Sequence, residues 1–254
     1  MTAAPNLPPE YSLVALDEVD STNDEARRLA EAGAGDGTLV WAQVQREGRG
    51  RRGSAWVSPK GNLYLSLVLR PECAAAEAVQ LSFVAALAVA DALSGLVPPM
   101  SEIRFKWPND VLLNRQKVAG ILIESSTTAP GRLDWLVVGI GVNVAAAPDD
   151  VSPPATSLRG EGCRPVTVVE VLEGLSRHFF VWVNRWLDDG FAPVRKAWLR
   201  QAGGKGEAII VNLPDESFTG IFADIDGRGA LIVELADGAR RVVTAGEVFL
   251  GGAR

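Results

Sequence analysis

Apolar and polar positions alternate with a period of two along the segments YSLVALDEV (11–19), TLVWAQVQ (38–45) and NLYLSLVL (62–69), which predicts three strands with one face buried. STNDEARRLAEAG, after the first of them, predicts a helix. Thr22 and Glu25 have the spacing of a capping box, and Gly33 stands where a C-terminal glycine belongs. Residues 74–94 form a long, alanine-rich apolar stretch that predicts a helix packed on a sheet. IRFKW, VLLN and KVAGILIES follow as strands joined by PND and NRQK turns, and LDWLVVGIGVNV is a further strand running into a glycine turn. Two more helices are predicted over VTVVEVLEGLSRHFFVWVNRWLDDG and FAPVRKAWLRQ. Beyond QAGGKG (201–206) the texture changes to the short strands EAIIVN, ESFTGIFADI, GALIVEL and ARRVVTAGEVFL, separated by PDE, DGRG and ADGA turns. That pattern predicts a small all-β domain behind a glycine hinge, with the division at 203/204.

Composition narrows the chemistry. The chain has 254 residues, 47% hydrophobic and 22% charged, which suits a globular protein with a sizeable core. A net charge of −6 argues against a general nucleic-acid binder. Two cysteines, Cys73 and Cys163, and a single histidine, His178, are too few and too scattered for a structural zinc site or a disulfide framework. The N-terminus MTAAPNLPPEYS has no basic or apolar leader pattern, and the apolar run at 81–93 is too short to span a bilayer and contains Asp91. The expectation is a cytoplasmic protein without a membrane partner.

Against that acidic background, REGRGRRGSAW (46–56) gathers four arginines and three glycines in a loop between two strands. Arginine makes bidentate contacts to carboxylate and phosphate, and glycines allow positive φ and close backbone approach. Alone, the loop reads as a mobile surface hairpin. KWPND (106–110) puts a cation, an aromatic ring, an amide and a carboxylate at a strand end, and KVAG (117–120) follows on the returning strand. In a hairpin Lys106, Asp110 and Lys117 converge on one mouth, with space beside Ala119 and Gly120, and Asn143 closes the next strand. Trp107 is read as core or site with even weight. The phosphate-binding loop of nucleotide triphosphatases is absent, and GIGVNV (139–144) has Val144 where a dinucleotide fingerprint needs its third glycine.

The order STN, GRGRRG-x-x-W, NLYLSL, KWPND, KVAGIL-x-E and GxGxN resembles the catalytic domain of biotin protein ligases over about residues 13–200, and the terminal β domain is similar to that family's C-terminal domain. The resemblance implies an α+β fold: a mixed, mainly antiparallel sheet flanked by helices, as in class II synthetases, followed by an SH3-like barrel. It implies activation of biotin by ATP with Mg²⁺ to biotinyl-5′-AMP, then transfer to a lysine of a biotin carboxyl carrier protein. Carried over by position, Ser21, Thr22, Asn23, Gln45, Arg49, Gly50, Arg51, Lys117 and Gly120 would contact biotin. Arg49, Arg51, Arg52, Trp56, Lys106, Asn109, Asp110, Lys117 and Asn143 would surround the nucleotide. Lys117, Arg49 and Asp110 are the expected catalytic set, with Asp110 as the Mg²⁺ ligand, and the arginine loop is expected to be mobile until ligand folds it into a lid.

A lipoate or octanoate ligase on the same fold is the nearest rival, although its arginine–arginine–glycine-triplet signature is not found. A biotin-responsive repressor is a more distant one, since about a dozen residues holding three prolines precede the first strand and leave little room for a DNA-reading domain. Whether the chain is a monomer or a homodimer is left open.

Overall fold

A computed structural model describes residues 4–129, 131–149 and 151–251. Seven strands form one mixed sheet: β1 (Ser12–Val19), β2 (Thr38–Gln45), β3 (Leu63–Leu69), β4 (Ile103–Lys106), β5 (Asp110–Leu113), β6 (Gln116–Ala129) and β7 (Arg132–Val142). Their spatial order is β1-β2-β3-β7-β6-β5-β4, with β1 and β2 parallel and every other neighbour antiparallel. The expected mainly antiparallel α+β architecture is the one observed.

The strand alternation sorts residues onto two faces. Leu63, Leu65, Leu67 and Leu69 of β3 enter the larger core, which lies under α2 (Leu81–Ser94), α3 (Val168–Asp189) and α4 (Phe191–Arg200). Val40 and Val68, together with Trp135 and Val137 of β7, face the other way and bury Ala26 and Ala30 of α1 (Thr22–Glu31). The single helix expected over 74–94 is a 3₁₀ turn, Ala75–Gln80, leading into α2. The combined segment Ala75–Ser94 has the length and apolarity of a membrane span, so it is longer than the 81–93 run suggested; most of it is buried inside the fold, which accounts for its composition by packing.

The terminal β domain is a five-stranded antiparallel sheet of β8 (Ala208–Asn212), β9 (Ser217–Ile225), β10 (Leu231–Glu234), β11 (Arg240–Val243) and β12 (Glu247–Leu250), in the order β11-β10-β9-β8-β12. The segment ARRVVTAGEVFL, expected as one strand, is two. The chain turns at residues 244–246 to cross from one edge of the sheet to the other, so β11 pairs with β10 and β12 with β8. The capping box expected at Thr22 is not formed. Ser21 is the N-cap residue, without a side-chain cap bond, and the Thr22 hydroxyl is turned towards Gln45.

Trp198 of α4 joins the two sheets. It packs edge-on to Phe83 (5.1 Å between centroids), stacks on Phe105 of β4 (5.7 Å) and reaches Phe222 of β9 (6.5 Å). Trp107 adds a polar tie, donating its indole N–H to the Gly229 carbonyl at 3.0 Å. Trp107 is therefore buried, latches the β domain and also lines the adjoining cavity. Trp198→Ala should cost roughly 3–5 kcal/mol of unfolding free energy in urea titration, the usual range for emptying a buried tryptophan site. A loss below about 1 kcal/mol would show that the two sheets do not share this core.

Candidate active site

The site is built from one rung of the large sheet. Cα pairing runs Lys106–Asp110, Asp110–Gly120, Gly120–Gly141 and Gly141–Tyr64, straight across β4, β5, β6, β7 and β3. On β7 the residues facing α1 are Trp135, Val137, Gly139 and Gly141: the first two pack the helix, and the glycines leave the sheet bare beyond it. A Cβ on Gly139 would lie 2.0 Å from Asn23 Oδ1, and one on Gly141 2.6 Å from the Trp56 indole. On Gly120 it would meet Trp56 at 2.9 Å and Lys117 Cε at 3.2 Å. The glycines of GIGVN, which fail as a dinucleotide motif, serve here as the floor of a cavity of about 550 Å³, a volume typical of small-ligand sites.

At the β5 end of that floor sit the charged residues. Asp110 is 6% exposed and lies 2.6 Å from Lys117 Nζ and 2.9 Å from Lys106 Nζ. Burial by itself would raise the Asp110 pKa, but the ammonium groups of Lys117 and Lys106 outweigh it and hold the carboxyl below the usual range. Lys117 reaches the floor because of a bulge: Val111 pairs with Ala119 and Leu112 with Lys117, so Val118 is the extra residue. The bulge turns Lys117 onto the same face as Gly120, with its ammonium 5.3 Å from the centre of the Trp56 ring. Lys106 also donates to the Val248 carbonyl at 3.3 Å and is almost fully buried.

The expected Mg²⁺ ligand does not fit this arrangement. Both Asp110 oxygens are taken by ammonium groups, and among the described residues no cluster of three His, Cys, Asp or Glu side chains is present.

The STN segment forms the opposite wall. Gln45 Oε1 accepts from the Thr22 amide (2.8 Å) and hydroxyl (3.0 Å), while its Nε2 donates to Ser58 (3.0 Å). Asn23 Oδ1 accepts from Ser66 at 2.6 Å, and Asn23 Nδ2 donates to Glu124 at 2.7 Å. Ser21 is buried and lines the cavity beside them. These polar groups are held in fixed directions, as a site that reads hydrogen-bonding atoms requires.

The arginine loop is folded over the mouth of the cavity. Trp56 N–H donates to the Gly48 carbonyl at 2.8 Å and Gly50 N–H to Ser54 at 2.7 Å. Arg49 pairs with Asp24 (2.7 Å) and Glu124 (3.2 Å). Arg51 donates to the Gly246 carbonyl of the β domain at 3.2 Å, and burial pulls its pKa below the ordinary arginine value. Only one of the loop's three glycines uses positive φ, Gly53 at +76°, and exposed Arg52 joins it at +54°. Gly48 is needed for close approach, since a Cβ there would lie 2.5 Å from the Trp56 carbonyl. The Trp56 indole N–H is buried on the glycine floor and has no hydrogen-bond partner among the described residues.

Two expected ligand contacts double as scaffold. Asn109 donates to the Ile121 carbonyl at 2.7 Å, and Asn143 to the Thr156 carbonyl at 3.1 Å, so each fixes backbone at the cavity edge. Lys106, Asn109, Asp110, Lys117, Gly120 and Asn143 all line the same cavity as the STN segment, Gln45, Arg49–Arg52 and Trp56. Sequence reasoning missed Gly139, Gly141, Tyr64 and Glu124, and it missed Gly246–Val248, which the β domain contributes to the wall. A period-two run of glycines continuing the apolar face of β7 was the available signal for the floor. Nothing local in the sequence marks the 246–248 contribution.

Residues 7–200 match the model of the "Biotin/lipoate A/B protein ligase family", and residues 205–251 match that of the "Biotin protein ligase C terminal domain". A biotin–[acetyl-CoA-carboxylase] ligase of Paracoccus denitrificans is 49% identical, with 93% of this chain and all of the relative covered. The bifunctional ligase/repressor BirA of Escherichia coli is 33% identical over 94% of this chain and 74% of its own length. The solved structure of the Aquifex aeolicus biotin protein ligase in complex with biotin and ATP has a TM-score of 0.78 and 30% identity, covering 94% of this chain and 97% of that one. By model and by relatives alike, this chain belongs to the biotin/lipoate A/B protein ligase family.

Proposed function

We propose that this protein is a biotin protein ligase. It joins biotin and ATP into biotinyl-5′-AMP and transfers the biotinyl group to a lysine of a biotin carboxyl carrier protein. The observation that carries this reading is the Lys117–Asp110–Lys106 triad at the end of a bare glycine floor, opposite the hydrogen-bonding wall of Thr22, Asn23 and Gln45. Similarity to a biotin–[acetyl-CoA-carboxylase] ligase along that relative's full length and to a structure holding biotin and ATP supports it.

The chemistry follows from charge. In the first step a carboxylate oxygen of biotin attacks the α-phosphorus of ATP, and the bond to pyrophosphate breaks. Two anions must approach, and the triad carries a net charge of +1, from two ammonium groups and one carboxylate. Lys117 is the more exposed of the two lysines and faces the floor, so it is placed between carboxylate and phosphate, where its charge gains as negative charge builds on the phosphoryl oxygens. Lys106, deeper, keeps Asp110 paired when Lys117 turns to the substrates. In the second step the acceptor amine attacks the acyl carbon and AMP leaves. The folded loop, tied to Asp24 and Glu124 through Arg49 and to Gly246 through Arg51, shields the mixed anhydride from water until then. Mg²⁺ would enter with the ATP rather than on a protein carboxylate, since Asp110 is taken by Lys106 and Lys117. We place the catalytic and β domains on either side of 203/204 and the reaction in the cytoplasm, in keeping with the free thiols of Cys73 and Cys163.

Exchange of labelled pyrophosphate into ATP should depend on biotin. Exchange supported better by lipoate or octanoate than by biotin would overturn the assignment. Arg51→Gly should keep adenylation but break the tie to Gly246, so that biotinyl-5′-AMP escapes and labels bystander lysines. Loss of adenylate synthesis itself in that variant would place Arg51 in the first step.

A further inference from the structure

Glu124 ends the KVAGIL-x-E stretch, and none of the roles above uses it as a ligand contact. It sits on β6 two residues beyond Leu122, which lines the cavity, on the face that Gly120 shares, and its carboxylate touches both the α1 wall and the arginine loop. Its Oε2 accepts from Asn23 Nδ2 at 2.7 Å, and Arg49 Nη2 lies 3.2 and 3.3 Å from its two oxygens.

We propose that Glu124 is a positioning residue of this site: its carboxylate sets which way the Asn23 amide faces and anchors the lid through Arg49. An amide side chain has a donor end and an acceptor end, and a ligand reads the two differently. Asn23 has two polar neighbours. Ser66 Oγ, 2.6 Å from Asn23 Oδ1, is a hydroxyl that both donates and accepts, so it tolerates either orientation. An ionised carboxylate only accepts, so Glu124 admits only the Nδ2 end. Gly139 makes the arrangement tight, since a Cβ there would strike Asn23 Oδ1 at 2.0 Å. The second half of the role is electrostatic. Arg49 is shared between Asp24 and Glu124, and these two carboxylates hold the loop over the cavity by charge-assisted contacts.

The ligand side of this proposal rests on biotin being the substrate, and the lid side does not, so the two are measured separately. In pyrophosphate exchange, Glu124→Ala should raise the KM for biotin about tenfold, the effect of losing one well-directed hydrogen bond, and leave the KM for ATP within about twofold. Glu124→Gln offers a donor as well as an acceptor, so it tolerates either orientation of Asn23 and should recover only part of that loss. In an Asn23→Ala background, Glu124→Ala should raise the biotin KM by no more than about twofold further, because the residue acts through Asn23. Equal effects in both backgrounds, or an unchanged biotin KM in the single variant, would overturn the positioning role. In the ligand-free protein, hydrogen exchange at the Gly50 and Trp56 amides should quicken several-fold in Glu124→Ala and in Glu124→Gln, since both remove the charge that Arg49 meets. Unchanged protection would overturn the anchor. Glu124→Met fills the same volume without an acceptor and replaces the alanine variant in both assays if thermal melting shows that variant unfolded. If biotin supports no exchange in the unaltered protein, the substrate assignment fails and the amide protection alone decides the proposal.

Discussion

A carboxylate buried between two ammonium groups is costly unless all three are satisfied, and Asp110 with Lys106 and Lys117 meets that condition at 2.9 and 2.6 Å. Neither lysine could be carried on these strands without it. Asp110 neutralises one positive charge and leaves the other in excess, and the sheet then decides which lysine is free to use it. Lys106 is closed off beneath the β domain by its bond to the Val248 carbonyl, whereas the bulge at Val118 swings Lys117 over the floor. The site's charge and its direction depend on this one buried carboxylate.

The rest of the site is the same sheet with its side chains removed. Period-two alternation on β7 puts Trp135 and Val137 beneath α1 and then glycines beneath the ligand space, so one face changes from core to cavity without a change of backbone geometry. The N-terminus of α1 is carried to the cavity edge by that packing, which is how Thr22 and Asn23 come to face Gln45, Ser66 and Glu124. A floor made of sheet, a wall made of a helix start and a lid made of an arginine loop are thus fixed by three different kinds of contact. The β domain closes the last side through Gly246–Val248 and shares the core of the first domain through Trp198 and Phe222.

Much of this was legible in the sequence because it repeats a local rule. Strand alternation placed the sheet, and KWPND followed by KVAG placed the lysines and the aspartate at one mouth. What was not legible depends on contacts between distant segments. The Thr22 hydroxyl has the spacing of a helix cap but is drawn instead to Gln45, 23 residues away. Asp110 has the chemistry of a metal ligand until its neighbours are seen to be two lysines. The division of ARRVVTAGEVFL into two strands follows from which neighbours β11 and β12 pair with, which no window of that length contains. Glu124 was visible as part of a motif, yet its partners, Asn23 and Arg49, lie 101 and 75 residues away.

The claim most exposed to experiment is that the free charge of the triad acts while the two anions are being joined. Lys117→Ala isolates it, since Asp110 keeps Lys106 as a partner and the variant can be checked for folding by thermal melting. Single-turnover adenylation should slow by roughly 10²-fold or more, as when one preorganised oxyanion donor is lost, while transfer from supplied biotinyl-5′-AMP to the carrier changes far less. Equal losses in the two steps would contradict the account and make Lys117 a residue that holds the ligand rather than one that assists the first reaction.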